Sequence, residues 1–260
     1  MKRMPTIFLG HGDPMIALAD NELTRRFRAL GERIVAGFGR PKAILAVSAH
    51  WYNARTFVQT DPEPRQIYDM TGFPKELYEV KYPVRGDAGL SARVLGAPGL
   101  DARVDDSWGI DHGVWSVLVH VFPKADVPVV QLSVNRFLDA AASYEAGKKL
   151  AFLRDEGYLI LASGNVVHNL RRVDWNNPAG TPEADAFDEW IRAQVEARRD
   201  DAVIDYRRHD DAAYAVPAPD HFLPLLYALG ASAGEKPCAF NAVRTLGAIS
   251  MTSYAFGMDV

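Results

Sequence analysis

Short apolar runs recur along the chain, and three of them end alike. Residues 6–9 hand over to Gly10-His11-Gly12, residues 43–47 to Ser48-Ala49-His50-Trp51, and residues 158–162 to Ser163-Gly164-Asn165, with His168 three positions on. Unbroken apolar runs bounded by small residues predict strands buried on both faces. Ligands of open α/β sheets bind beyond the carboxyl ends of the strands, so the pattern predicts that these histidines converge around a metal ion.

Between these runs the spacing turns helical. Leu23, Phe27, Leu30 and Ile34 form one stripe of a helix over about 21–36, with Asp20 as its N-cap and Gly37 to Pro41 as its end. Further helices are predicted over 87–95, 138–154 and 183–198, the last with Phe187, Ile191 and Val195 on one face. Trp115, Leu118, Val119 and Phe122 keep helical spacing, which puts His112 at or just before a helix start, and Pro217 to Pro224 opens an apolar helix reaching Leu229. Short strands are expected at 56–59, 102–104 and 127–132, and one or two closing strands within 243–256. Residues 200–211 read as a polar, charged segment. Residues 61–83 interleave Pro62, Pro64, Pro74 and Pro83 with Tyr68, Phe73, Tyr78 and Tyr82, a long stiffened loop suited to wall a pocket for a flat ligand. Alternating strands and helices without repeat or linker predict a single α/β catalytic domain over 1–260.

Composition narrows the partners. The chain is 48% hydrophobic and 24% charged with a net charge of -4. Its basic residues cluster no further than helix faces such as Arg25-Arg26 or Arg198-Arg199, which argues against a nucleic-acid surface. Cys238 is the only cysteine, so neither an intrachain disulfide nor a thiolate zinc cluster is available. Pro5 and Gly10 interrupt the N-terminus before an apolar core of a leader forms, and no run of about 18 apolar residues follows. The expectation is a cytoplasmic protein, off the membrane, acting on a small molecule.

Seven histidines supply the candidate chemistry. His120, inside a helical run, and His209, in a charged stretch, read as core or surface residues. His221 follows Asp220 at a helix start and fits either a cap or a ligand. His11, between glycines that permit a sharp turn, and His50 and His168 hold strand-end positions. The chain has no His-Glu-x-x-His, no Gly-x-Ser-x-Gly and no Walker loop, and Pro14 interrupts what would be a dinucleotide fingerprint at Gly10. Loop-borne imidazoles with open positions suit Zn, Fe or Cu. Asp13 and Asp220 accompany histidines and do not replace one. The residues themselves reach as far as a histidine metal site in an α/β enzyme.

The motifs Leu9 to Met15, Ser48 to Trp51, Asp111 to Trp115, Ser163 to Leu170 and Asp220 to Leu225 resemble, in that order, those of the 4,5-DOPA extradiol dioxygenases. These belong with the class III ring-cleavage enzymes typified by protocatechuate 4,5-dioxygenase. The resemblance implies a three-layer α/β/α sandwich with a central, largely parallel or mixed sheet. It implies an Fe(II) oxygenase that opens a catechol ring beside its diol with O2, giving a muconic semialdehyde. His11, His50 and His221 would then hold the metal. His168 would be the acid/base residue and a fourth ligand in the substrate-free form, and His112 would lie beside the ligands or against the substrate. The protocatechuate enzymes use a glutamate as third ligand where this chain has His221, so Zn remains open as the bound metal. A zinc hydrolase using the same three histidines, and a non-catalytic metal-holding interaction protein, are the rival readings. Either a monomer or a homodimer is compatible with the sequence.

Overall fold

In chain order the elements are β1 (Thr6–Gly10), α1 (Glu22–Phe38), β2 (Ile44–Asn53), β3 (Phe57–Val58), α2 (Lys75–Glu79), α3 (Ala88–Leu95), β4 (Arg103–Val104), α4 (His112–Val121), β5 (Val129–Asn135) and α5 (Ala140–Leu150). They continue with β6 (Leu159–Gly164), α6 (Pro182–Glu196), α7 (Asp200–Ile204), α8 (Ala212–Ala215), α9 (Leu223–Ala231), β7 (Pro237–Phe240), β8 (Arg244–Thr245), β9 (Ile249–Ser250) and β10 (Ser253–Phe256). The computed structural model describes residues 2–260.

Eight strands form one mixed sheet in the order β4-β3-β5-β2-β6-β1-β10-β7. Its centre, β5-β2-β6-β1, is parallel. β10 and β7 close one side in antiparallel fashion, and β3 turns antiparallel against β5 on the other. Register matters most for the site. Ser48 pairs with Ser163, and Gly10 with Gly164, so Ser48, Gly10 and Gly164 come to about one level of the sheet, where β1 and β6 end and β2 runs on.

The period-two alternation of a strand divides the core into two layers. Phe8, Leu45, Val47, Ile160 and Ala162 face one way, toward α5, α6 and α9. Ile7, Leu9, Ile44, Ala46, Leu159 and Leu161 face the other, toward α1 and α4. α9 is buried at every one of its positions, which explains why its sequence is apolar all round. On α1, Phe27, Leu30 and Ile34 are buried, each stabilising by about 1.5–3 kcal/mol.

The structure corrects several expectations. The N-cap of α1 is Asn21, not Asp20: Asn21 and Thr24 bond reciprocally side chain to backbone, while Asp20 pairs with Arg28. β2 runs on through His50 to Asn53, with an irregularity between Ser48 and Tyr52, so His50 lies in a strand and not after it. The helix expected over 138–154 starts at Ala140, because the Asp139 side chain caps it, and tightens into a 3-10 turn at Ala151–Arg154. Residues 200–211, read as a polar segment, form α7 and a 3-10 turn. The loop over 61–83 contains α2. β7 was not foreseen, since four residues are too few to show an alternation. His120 belongs to the core, its Nε2 2.8 Å from the Ile16 carbonyl, and His209 packs on Phe187 and Trp190.

Candidate metal centre

Gly164, at the end of β6, is the point on which the site is assembled. The His11 N–H donates to the Gly164 carbonyl at 3.1 Å, and the Asn165 N–H donates to the His221 carbonyl at 2.9 Å. A Cβ at Gly164 would stand 2.2 Å from that carbonyl oxygen, so only glycine lets the His221 segment come this close. Gly113 does the same for α4, because a Cβ there would meet His50 Cδ2 at 2.7 Å. His168 is held through its backbone: its N–H donates to the Ala215 carbonyl at 2.9 Å, and it bridges to Ile249.

Five histidines converge in this way. Ligand atoms of His11, His50 and His112 lie within 4.8 Å of one another. The ring of His221 stands 4.9 Å from that of His50 and 5.3 Å from that of His11, and His168 stacks on His221 at 3.5 Å with the two ring planes nearly parallel. His112, expected beside the ligands, is thus part of the tightest trio, its ring 3.9 Å from His50. The geometry brings together every histidine that the sequence singled out, and excludes His120 and His209.

Hydrogen bonds decide which nitrogens are free. Ser163 Oγ donates to the Gly113 carbonyl and lies 2.9 Å from His11 Nδ1, so His11 must donate from Nδ1 and keep its lone pair on Nε2. Asp220 Oδ2 is 2.8 Å from His221 Nδ1, which leaves Nε2 of His221 buried with no partner. Asp69 Oδ2 is at ion-pair distance, 3.4 Å, from His50 Nδ1. Asp69 Oδ1 accepts from the His112 backbone N–H at 2.9 Å and lies 3.0 Å from His112 Nδ1, which makes no hydrogen bond among the described residues. The Nε2 atoms of His11 and His50 face each other at 3.2 Å. Two lone pairs at that distance repel, whereas nitrogens sharing a metal at about 2.0–2.1 Å stand roughly 3.0–3.4 Å apart. With the orphaned Nε2 of His221, this donor set fits a divalent metal.

Burial keeps His11, His50 and His168 uncharged. It holds His11 well below its ordinary value, helped by His221, His112 and His168, and does the same to His50 beside His112 and His221. His168 is pushed down to about 3 by burial and by His221, a departure from the near-neutral titration expected of an unperturbed imidazole. Behind the site Asp111 is fully buried, and burial and Asp69 push it up to about 6. Ser48, Trp108 and Gln131 all donate to its carboxylate, and a set made only of donors favours the ionised form. Asp69 and Ser163 were missed by sequence reasoning. The only available signal for Asp69 was its place in the proline-rich loop, and Ser163 looked like a strand terminator.

The histidines open onto a cavity of about 480 Å³ walled by Met70 and Phe73 from the 61–83 loop and by Val173, Trp175 and Leu246 opposite. A larger cavity of about 680 Å³, lined by Arg136, Tyr206 and Arg207, contains none of them.

A mixed α/β sheet with a parallel centre and imidazoles converging beyond it defines a metal-dependent α/β enzyme. Residues 5–257 match the family described as the catalytic LigB subunit of aromatic ring-opening dioxygenase, and the chain belongs to that family. It is 42% identical over 263 residues to 4,5-DOPA dioxygenase extradiol of Escherichia coli, covering 98% of this chain and 95% of that one. The protein of the same description from Portulaca grandiflora is 38% identical over 260 residues, covering 96% and 95%. A crystal structure of an uncharacterized protein from Escherichia coli K12 superposes with a TM-score of 0.83 at 37% identity, covering 98% of this chain and all of that one. The chain is accordingly an extradiol dioxygenase that opens an aromatic ring with O2. Nothing in these likenesses supports the zinc hydrolase or the non-catalytic metal-holding protein.

Proposed function

We propose that the chain, as one catalytic domain, cleaves a DOPA-like catechol beside its diol, with Fe(II) held by His11, His50 and His221. The observation that carries the ligand assignment is the set of Nδ1 anchors, Ser163, Asp69 and Asp220, which turns the Nε2 lone pairs of these three rings inward. The DOPA-like substrate rests on what the relatives from Escherichia coli and Portulaca grandiflora are named for. Bound Fe(II) would supply a Lewis acid for the catechol oxygens and electrons for O2.

The remaining steps belong to the protein. Phe73 and Trp175 offer faces against which a flat ring can lie. His168 is the one histidine of the five whose ring makes no hydrogen bond or ion pair among the described residues, so neither of its nitrogens is committed. Burial leaves it neutral at pH 7 but also makes it a weak base, so its role in taking a proton from a catechol hydroxyl and returning it requires that a bound, negatively charged catechol raise its affinity for the proton. His112, anchored by Asp69, is placed to contact the substrate and is the second residue we assign to catalysis. With substrate absent, His168 would be free to serve as a fourth ligand to the metal.

The experiment is oxygen uptake by anaerobically purified, Fe(II)-reconstituted protein given DOPA, with the spectrum of the ring-opened semialdehyde recorded alongside. Uptake by the native protein and a loss of at least about 100-fold in kcat for His168→Ala, with iron retained, are expected. Full turnover by His168→Ala, or uptake supported equally by Zn(II), would sink the assignment.

A further inference from the structure

The cavity over the histidines is acidic. Asp13, Asp69 and Asp220 line it, and among the described residues no lysine or arginine does. Arg171 and Arg172 adjoin the rim in sequence, but both are exposed, and the Arg172 guanidinium lies over the Tyr214 ring at 6.0 Å. Imidazoles that hold a metal do so uncharged, and among the described residues no lysine or arginine of the lining faces the carboxylates. A divalent metal leaves one negative charge in excess, and a catechol that gives up a proton adds another. A low-dielectric cleft focuses that field on whatever the substrate carries away from its diol.

Two of the three carboxylates are already committed. Asp69 is shared between His50 and His112, and Asp220 is bonded to His221. Asp13 differs. Its Oδ1 accepts from the Met15 N–H at 2.7 Å, capping the 3-10 turn Pro14–Leu18, and no arginine, lysine or histidine pairs with it. It stands directly after Gly12, half-buried, on the wall of the cavity.

We propose that this site selects catechols whose side chain ends in an ammonium group over those that end in a carboxylate, and that Asp13 is the residue that receives the ammonium. The inference rests on the ring-cleavage reading and narrows its substrate class. It goes past the amino-acid catechol that the relatives are named for: the simple amine is favoured over the amino acid, whose own carboxylate finds no cation in the wall.

The test compares dopamine, DOPA and 3,4-dihydroxyphenylpropionate, which share the ring and differ in side-chain charge. Dissociation constants are measured by calorimetry on the Zn(II)-loaded protein, where no turnover intervenes, and kcat/KM by oxygen uptake on the Fe(II) form. Dopamine is expected to bind about tenfold or more tighter than the propionate, with DOPA between, and added salt should narrow the gap. Asp13→Asn, which keeps the turn cap and removes the charge, should bring dopamine and the propionate to within about threefold. Asp13→Ser, which also caps, should repeat the result. Equal or tighter binding of the propionate, or a preference for the amine that survives both substitutions, overturns the proposal. Amine-selective binding without oxygen uptake from any of the three supports the selectivity and removes the ring-cleavage reading instead.

Discussion

Asp69 has the most consequence for its size among the single residues. It comes from the aromatic loop yet is within reach of two imidazoles of the cluster and accepts from the first backbone N–H of α4. A carboxylate behind a ligating histidine fixes the tautomer and raises the basicity of the nitrogen that faces the metal, and its loss costs about 10–100-fold in affinity. Asp69→Asn is therefore expected to weaken Zn(II) binding by about that factor, read by competition with a chromophoric chelator, while the thermal midpoint of the metal-free protein stays near that of the parent. Unchanged metal affinity would show that Asp69 serves the loop alone. Such a residue is hard to see in a sequence. The histidines were legible because each sits at or near the end of an apolar run or the start of a helix, whereas Asp69 owes its role to where a 23-residue loop happens to return.

At the scale of elements, the central strands and the long helices could be read from period and punctuation, and His11 and His168 follow strand ends as expected, whereas His50 lies within its strand. The errors lie where local chemistry competed closely. Asp20 and Asn21 are both good caps, and the choice fell to Thr24, whose hydroxyl answers Asn21 and not Asp20. β2 passes through His50 because pairing with β5 resumes beyond the irregularity at Ser48, a tertiary reason that no window of sequence contains. The turn after β6 makes a sharper prediction. Gly164→Ala sets a methyl 2.2 Å from the His221 carbonyl, and the Asn165 to His221 hydrogen bond must yield. A loss of about 1–3 kcal/mol in denaturant unfolding is expected, with weaker metal binding because His221 is displaced. Native stability in this variant would mean that the His221 segment moves aside freely, contrary to the close packing described.

For the whole molecule, the neutral imidazoles set the response to acid. His11, His50 and His168 are depressed below the unfolded value of about 6.5, so the unfolded chain takes up protons first as pH falls. Their contribution to stability is complete above about pH 6.5 and is lost below it, down to the folded value of about 3 for His168. Within that window each costs about 1.4 kcal/mol per pH unit. Chelator-treated protein should show a thermal midpoint that falls steeply between about pH 6.5 and 5, and a flat profile there would show that the cluster is protonated when folded. The order of the strands bears on how the site is assembled. β1 and His11 are made early, but β1 is flanked by β6 and by β10, and the third proposed ligand arrives only with residue 221. A growing polypeptide on the ribosome therefore carries its histidines unassembled until residue 221 has emerged, and the proposed metal centre cannot be complete before then.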